Sequence, residues 1–145
     1  MNLYLDASAL VKRYVAEAGS AQVGQIITQA NVVGTALISR AEVSAALGKA
    51  VRIGTLAAEQ GAAALQVVRA EWGSLVRIQI TEAVIAHADD LAWRSGLRGY
   101  DAVHLAAASL WQDALGEPVT VATFDRQLWQ AAGAGGLIPW PDHLG

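Results

Sequence analysis

The sequence predicts an α/β fold in which helices pack around a small, mostly parallel sheet of four to five strands. Short runs rich in β-branched residues alternate along the chain with longer windows in which Ala, Leu and Val recur at helical spacing. The composition is 54% hydrophobic and only 16% charged, which is enough for one well-packed core. We therefore expect one domain that spans residues 1–145.

The first strand is predicted at residues 3–5, and Asp6 directly after it can cap a helix that continues to Val15. Gly19 breaks that helix, and a second helix follows with its apolar residues on one face. The next strand is predicted at residues 32–38, where the apolar run is long enough for the centre of a sheet.

A helical hairpin is predicted next, with helices at residues 40–53 and 55–72. Gly54 stops the first of these helices and Thr55 caps the second. The alternating residues 76–80 then predict a third strand.

The last part of the chain repeats the alternation of helix and strand. Thr81 opens a helix that ends at a pair of glycines, and an alanine-rich helix covers residues 100–115. The remaining elements are a strand at residues 119–123, a short helix from Asp125, a last strand at residues 137–138 and a terminal tail at residues 139–143.

Composition excludes several classes of protein. Because the chain has no cysteine, it has no disulfide framework, thiolate zinc site or thiol catalysis. No window reaches the roughly 18 apolar residues of a membrane span, and the N-terminus lacks the pattern of a signal peptide. We therefore expect a soluble, cytoplasmic protein.

The net charge of -3 argues against a protein that grips nucleic acid only through its phosphate backbone, since such proteins carry basic domains. It does not exclude an enzyme that uses a metal ion. Several arginines lie near acids in sequence and predict a local positive rim: Arg13, Arg40, Arg94, Arg98 and Arg126.

Four carboxylates lie close to the predicted junctions between elements: Asp6, Glu42, Asp101 and Asp125. Since ligands of open α/β sheets bind outside the carboxyl ends of the strands, we expect these side chains to converge. Two carboxylates about 4 Å apart repel by roughly 4 kcal/mol at an effective dielectric near 20, so a bound cation is expected at neutral pH. A ligand set made only of oxygens favours Mg²⁺ or Mn²⁺, and such an ion can activate water for phosphodiester hydrolysis.

Each acid also has a purely structural alternative, because Asp favours helix N-caps. Ser39 and Glu42 match a capping box, in which each side chain binds the other residue's backbone amide. Ser8 and Thr123 lie two residues from Asp6 and Asp125 and could hydrogen-bond a carboxylate, although capping or strand packing explains them equally well. A binding module without catalysis therefore stays open.

The histidines and tryptophans are expected to serve packing rather than chemistry. His104 follows Asp101 by one helical turn and shares its face, but a core or boundary position is the better interpretation, and it is left out of the catalytic set. His87, His143 and the five tryptophans show no ligand spacing or stacking pattern.

Each of four segments contains one of the acids: LDASAL at 5–10, SRAEVSAAL at 39–47, RGYDAVHLAA at 98–107 and ATFDRQL at 122–128. In their order and spacing they resemble the motifs of the PIN-domain ribonucleases, and most closely those of the VapC-type toxins of type II toxin–antitoxin pairs. The resemblance covers nearly the whole chain.

The resemblance implies a three-layer α/β/α fold and an endoribonuclease toxin that acts on RNA with Mg²⁺ or Mn²⁺. It further implies a homodimer and an antitoxin partner. The family's acids fall on all four carboxylates, so that Asp6 and Asp101 are the usual direct metal ligands, while Glu42 and Asp125 bind directly or through water. Thr123 takes the place of the family's polar helper.

An aspartate-dependent phosphotransfer domain is a weaker alternative, because it would also place Asp6 after the first strand. Such domains need a lysine late in the chain, and the only lysines are Lys12 and Lys49. They also expect a second aspartate two residues after the nucleophile, where this chain has Ser8.

Overall fold

The computed structural model describes residues 1–145 and contains five strands and seven α-helices. The strands are β1 (Asn2–Leu5), β2 (Val32–Ala36), β3 (Val76–Ile78), β4 (Val119–Ala122) and β5 (Ile138–Trp140). The helices are α1 (Ala7–Leu10), α2 (Ser20–Gln29), α3 (Ser39–Arg52), α4 (Ala58–Glu71), α5 (Glu82–Ser95), α6 (Gly99–Leu115) and α7 (Arg126–Ala134). No helix combines the length and the apolar character needed to cross a membrane.

All five strands are parallel, in the order β3-β2-β1-β4-β5. Strand β1 is central. Strands β2 and β3 follow in order on one side of it, and β4 and then β5 lie on the other side. The strand order therefore reverses between β1 and β4, where open α/β sheets form a crevice at the carboxyl ends of their strands. The predicted fold class is confirmed.

The sheet separates two hydrophobic cores. Alternation along β1 places Leu3 and Leu5 in the core that α1 to α4 cover, while Tyr4 points into the core under α5, α6 and α7. The predicted three-layer α/β/α arrangement is thus confirmed.

The close approach of α6 to the sheet depends on Gly34 in β2. A Cβ atom at Gly34 would lie 2.9 Å from the Cη2 atom of Trp111 on α6, which is closer than real carbon contacts. Because Gly34 has no side chain, α6 can pack close to the sheet. This close packing positions the first turns of α6 beside the end of β1.

Several predicted boundaries are wrong by a few residues. Strands β2 and β3 end at Ala36 and Ile78, because the ladder between them closes where Leu37 N donates to Ile78 O at 2.9 Å. The helix after Asp6 is short and continues only as a 3-10 turn at Val11–Arg13. Helix α4 begins after Thr55, since the Gln60 side chain accepts a hydrogen bond from Ala57 N at 3.0 Å.

The prediction of a terminal tail from residue 139 is also wrong, since Pro139 and Trp140 belong to β5. They pair with Val121 and Ala122 of β4. Pro is tolerated because β5 is an edge strand, where a missing N–H donor costs little. Thr123 N then donates to Trp140 O at 3.1 Å. Backbone hydrogen bonding between the two strands therefore continues as far as Thr123, two residues before Asp125.

Candidate active site

Asp6 lies at the crevice between β1 and β4 and is 4% exposed. Its Oδ1 accepts hydrogen bonds from Ala9 N at 2.9 Å and Ser8 Oγ at 2.7 Å, and its Oδ2 accepts one from Thr123 Oγ1 at 2.6 Å. The predicted cap of α1 is confirmed. Since a carboxylate offers about four acceptor positions, one of them is left on Oδ2.

Burial raises the pKa of the Asp6 carboxyl above its ordinary value of 3.8. His104 and the hydrogen bonds from Thr123, Ser8 and Ala9 act in the opposite direction without cancelling the cost of burial. A neighbouring positive charge would therefore stabilise the ionised form of the Asp6 carboxyl.

A carboxyl whose pKa is raised on folding binds its proton more tightly in the folded protein than in the unfolded chain. Its contribution to the free energy of unfolding therefore falls as pH rises from 3.8 through the raised pKa. In a chelator, we expect the stability of Asp6→Asn relative to the natural protein to increase over this pH range. Urea denaturation across a pH series measures it, and a pH-independent difference would contradict the raised pKa.

Thr123 and Ser8 connect Asp6 to the chain segment that follows β4. While donating to Asp6, Thr123 Oγ1 accepts from Asp125 N at 3.1 Å, and Ser8 Oγ accepts from Phe124 N at 3.0 Å. The same two hydroxyls thus bind one acid and hold the backbone that leads to another.

Asp125 caps α7, as predicted, because its Oδ1 accepts from Leu128 N at 3.0 Å. Its Oδ2 faces Arg98, whose Nη2 donates at 2.8 Å. Asp101 lies in the first turn of α6, and its hydrogen-bond partner is the same arginine, through Nε to Oδ2 at 3.3 Å. Asp101 accepts no bond from the backbone, so capping does not account for its presence.

The electrostatic environment of Asp101 indicates which of the other acids lie near it. Burial raises the pKa of Asp101, and the negative charge of Asp125 raises it further. Arg98 acts in the opposite direction, and Asp6 adds a smaller repulsion. Asp101 is therefore repelled by two carboxylates that are distant from it in sequence.

The fourth acid, Glu42, does not form the capping box that was considered for it. Helix α3 has no side-chain cap, and the Ser39 hydroxyl donates a hydrogen bond to Thr35 Oγ1 at 2.7 Å, since Thr35 donates its own proton to Leu5 O. Glu42 Oε1 contacts His104 Nε2 at 2.7 Å. Glu42 is thus linked to α6, across the end of the sheet.

His104 has the buried position that was expected, with 2% exposure, but it also contacts an acid, which sequence reasoning missed. Its Nδ1 lies 2.6 Å from Tyr4 Oη, so Tyr4, His104 and Glu42 form a continuous hydrogen-bonded chain. Both ring nitrogens of His104 therefore have a hydrogen-bond partner. The available signal was the one-turn spacing from Asp101, which places His104 on the same face of α6.

The donor atoms of this region fit a hard divalent cation, because they are carboxylate oxygens that repel one another. No group of three or more His, Cys, Asp or Glu side chains is arranged to hold a metal ion. In this arrangement Arg98 binds Asp101 and Asp125, and His104 binds Glu42.

Comparisons with known proteins agree with this geometry. The family model of the PIN domain matches residues 3–134. The chain is 36% identical over 143 residues to Ribonuclease VapC45 and to Ribonuclease VapC49, from two strains of Mycobacterium tuberculosis, and the match covers 98% of this chain and 96% of each relative. A toxin-antitoxin complex from Klebsiella pneumoniae has a similar fold, with a TM-score of 0.69 at 18% identity, covering 95% of this chain and 96% of the other.

Proposed function

Because the chain belongs to the PIN-domain family, we propose that it acts as a VapC-type toxin endoribonuclease and uses its four carboxylates to hydrolyse RNA. The observation that carries the proposal is the buried Asp6 at the switch point of the sheet, together with Asp101, on which the charges of both Asp125 and Asp6 act. Ribonucleases of this family generally depend on divalent cations. A site of mutually repelling carboxylates suits that requirement.

We assign Mg²⁺ or Mn²⁺ to these acids, with Asp6 and Asp101 as direct ligands and with Glu42 and Asp125 binding directly or through water. When bound, the cation supplies activation of water and neutralisation of charge on the phosphate. Asp6 offers its free acceptor position on Oδ2.

Other side chains of the site orient these ligands. Thr123 and Ser8 fix the plane of the Asp6 carboxylate through hydrogen bonds to its two oxygens. His104 holds Oε1 of Glu42, and Oε2 has no hydrogen-bond partner and would be available to a cation or a water molecule. We therefore place Thr123, Ser8 and His104 in positioning roles.

The alternative of a non-catalytic binding module, in which the acids only cap helices, accounts for two of the four carboxylates. Asp6 and Asp125 do cap helices. Glu42 and Asp101 accept no backbone hydrogen bond, and their partners are His104 and Arg98. Two acids without a capping role at the same crevice favour the nuclease.

We propose RNA as substrate, an antitoxin as partner and a homodimer as the assembly, acting in the cytoplasm, where RNA is plentiful. The face between α5 and α6 suits a protein partner, since it has an apolar cavity of about 420 Å³. Trp93, Tyr100 and Ile85 expose 89%, 70% and 44% of their surface on these two helices. Light scattering of the purified protein, with and without the antitoxin, tests both assemblies.

Cleavage of a mixed RNA pool tests the activity. Purified protein is incubated with Mn²⁺, with Mg²⁺ and with a chelator, beside an Asp6→Asn variant. We expect cleavage that requires a divalent cation and is lost in the variant, and comparison of the two ions identifies the better cofactor. Equal cleavage by both proteins would refute the assignment of Asp6.

Removal of the Tyr4 hydroxyl tests the positioning of Glu42. Tyr4→Phe keeps the buried ring but leaves His104 Nδ1 without its partner, which is expected to cost roughly 1–3 kcal/mol of stability. Because His104 then holds Glu42 less firmly, we expect RNA cleavage to fall by roughly tenfold, as for other residues that orient metal ligands. Chemical denaturation and initial rates measure the two effects.

Tyr14→Phe is the matched control, since the Tyr14 hydroxyl contacts Glu71 at 3.5 Å and no residue of the acidic site. It should leave the cleavage rate unchanged. If Tyr4→Phe loses stability but cleaves at the natural rate, the hydrogen-bonded chain through His104 serves the core alone.

A further inference from the structure

Arg98 binds two acids of the site at once. It is the residue directly before α6, its side chain is 74% exposed, and it donates from Nη2 to Asp125 and from Nε to Asp101. The planar guanidinium carries donors on separate edges, which allows it to bridge carboxylates on two different helices. Arg98 therefore offsets part of the negative charge of Asp101 and Asp125.

Apart from its two acidic partners, the surroundings of Arg98 are electrostatically unfavourable for a positive charge. Both α6 and α7 begin beside it, and the positive ends of helix dipoles disfavour a cation. The attraction of Asp101 and Asp125 thus accounts for the position of the guanidinium. If another cation neutralised these carboxylates, the remaining forces on Arg98 would be repulsive.

Only the side chain of Arg98 is free to move. Leu97 before it is buried, with 6% exposure, and the backbone enters α6 directly after it. The arginine side of both ion pairs is exposed to water, which weakens an ion pair. The guanidinium can therefore leave the acids without any change in the fold.

We propose that Arg98 is a removable counter-ion that occupies Asp101 and Asp125 in the cation-free protein, is displaced when a divalent cation binds these acids, and then binds a phosphate of the RNA. The inference rests on the proposed function, because it requires these acids to bind the cation. A guanidinium binds phosphate through paired hydrogen bonds, and Arg98 already lies beside the acids to which the cation is assigned.

Two measurements on Arg98→Ala test the proposal. Calorimetric titration with Mn²⁺ in the absence of RNA gives the affinity for the cation, and steady-state cleavage at saturating Mn²⁺ gives KM and kcat separately. With the competitor removed, we expect Mn²⁺ to bind roughly three- to tenfold more tightly. With the phosphate contact removed, we expect KM for RNA to rise by about tenfold, with a smaller change in kcat.

Arg94→Ala is the matched control. Arg94 was predicted to belong to the positive rim, but in the structure it is exposed on α5 and pairs with Asp90 at 2.7 Å. The variant therefore removes the same charge without touching the acidic site. It should change neither the affinity for Mn²⁺ nor KM. Arg98→Lys keeps the charge but lacks the planar fork, and we expect intermediate values in both measurements.

The opposite signs of the two effects distinguish this role from a structural one, which would weaken both kinds of binding. Unchanged or weaker Mn²⁺ binding in Arg98→Ala would refute the counter-ion, and an unchanged KM would refute the phosphate contact. In both cases the natural protein would still bind Mn²⁺ and cut RNA, so the proposed function would stand. If the natural protein neither bound Mn²⁺ nor cut RNA, the proposed function and this inference would fail together.

Discussion

Asp6→Asn is expected to lower RNA cleavage by roughly a thousandfold while the protein stays folded. A direct ligand contributes several kcal/mol of stabilisation through the cation, and each 1.4 kcal/mol corresponds to about tenfold in rate. The amide oxygen of Asn can still accept from Ala9 N, and Asn caps helices about as well as Asp. Initial rates at saturating Mn²⁺ and thermal unfolding in a chelator measure the two properties.

Comparison with Asp6→Ala separates the two roles of this residue. Both variants should be inactive, but only the Ala variant loses the cap of α1, at a cost of about 1 kcal/mol. In a chelator, Asp6→Asn should be at least as stable as the natural protein, because it removes a buried charge whose pKa is raised. If Asp6→Asn were active and about 1 kcal/mol less stable, capping would be the real role of Asp6.

Asp101→Asn is expected to reduce cleavage to a similar extent, and it provides the cleaner test because this residue caps nothing. Its hydrogen-bond partner is Arg98, and Asp125 and Asp6 repel it. We therefore expect lost Mn²⁺ binding together with unchanged or increased stability in a chelator. Calorimetric titration and thermal unfolding test this combination.

Asp90→Asn is the control for Asp101→Asn. Asp90 also pairs with an arginine one helical turn away, but it lies on α5, outside the acidic site. The control should cleave RNA at the natural rate. Normal Mn²⁺ binding by Asp101→Asn would remove Asp101 from the ligand set and leave its raised pKa without a functional role.

Local patterns were sufficient to predict the parallel α/β fold, the order of its elements and the helix caps formed by two of the acids. Runs of β-branched residues favour strands over a few residues, and Asp or Thr favours the start of a helix through its own side chain. This is why the caps by Asp6, Thr81 and Asp125 were predicted correctly. These effects act over one or two turns, so the sequence alone determines them.

Contacts between distant segments were decided only by the tertiary structure. Tyr4 and His104 are 100 residues apart, and His104 and Glu42 are 62 apart, so no local pattern marks the hydrogen-bonded chain that they form. The bridge from Arg98 to Asp125 and the pairing of Trp140 in β5 likewise depend on neighbours that folding brings together. A side chain's partner is chosen by packing and by the need to satisfy buried polar atoms, and these conditions exist only once the sheet and helices have assembled.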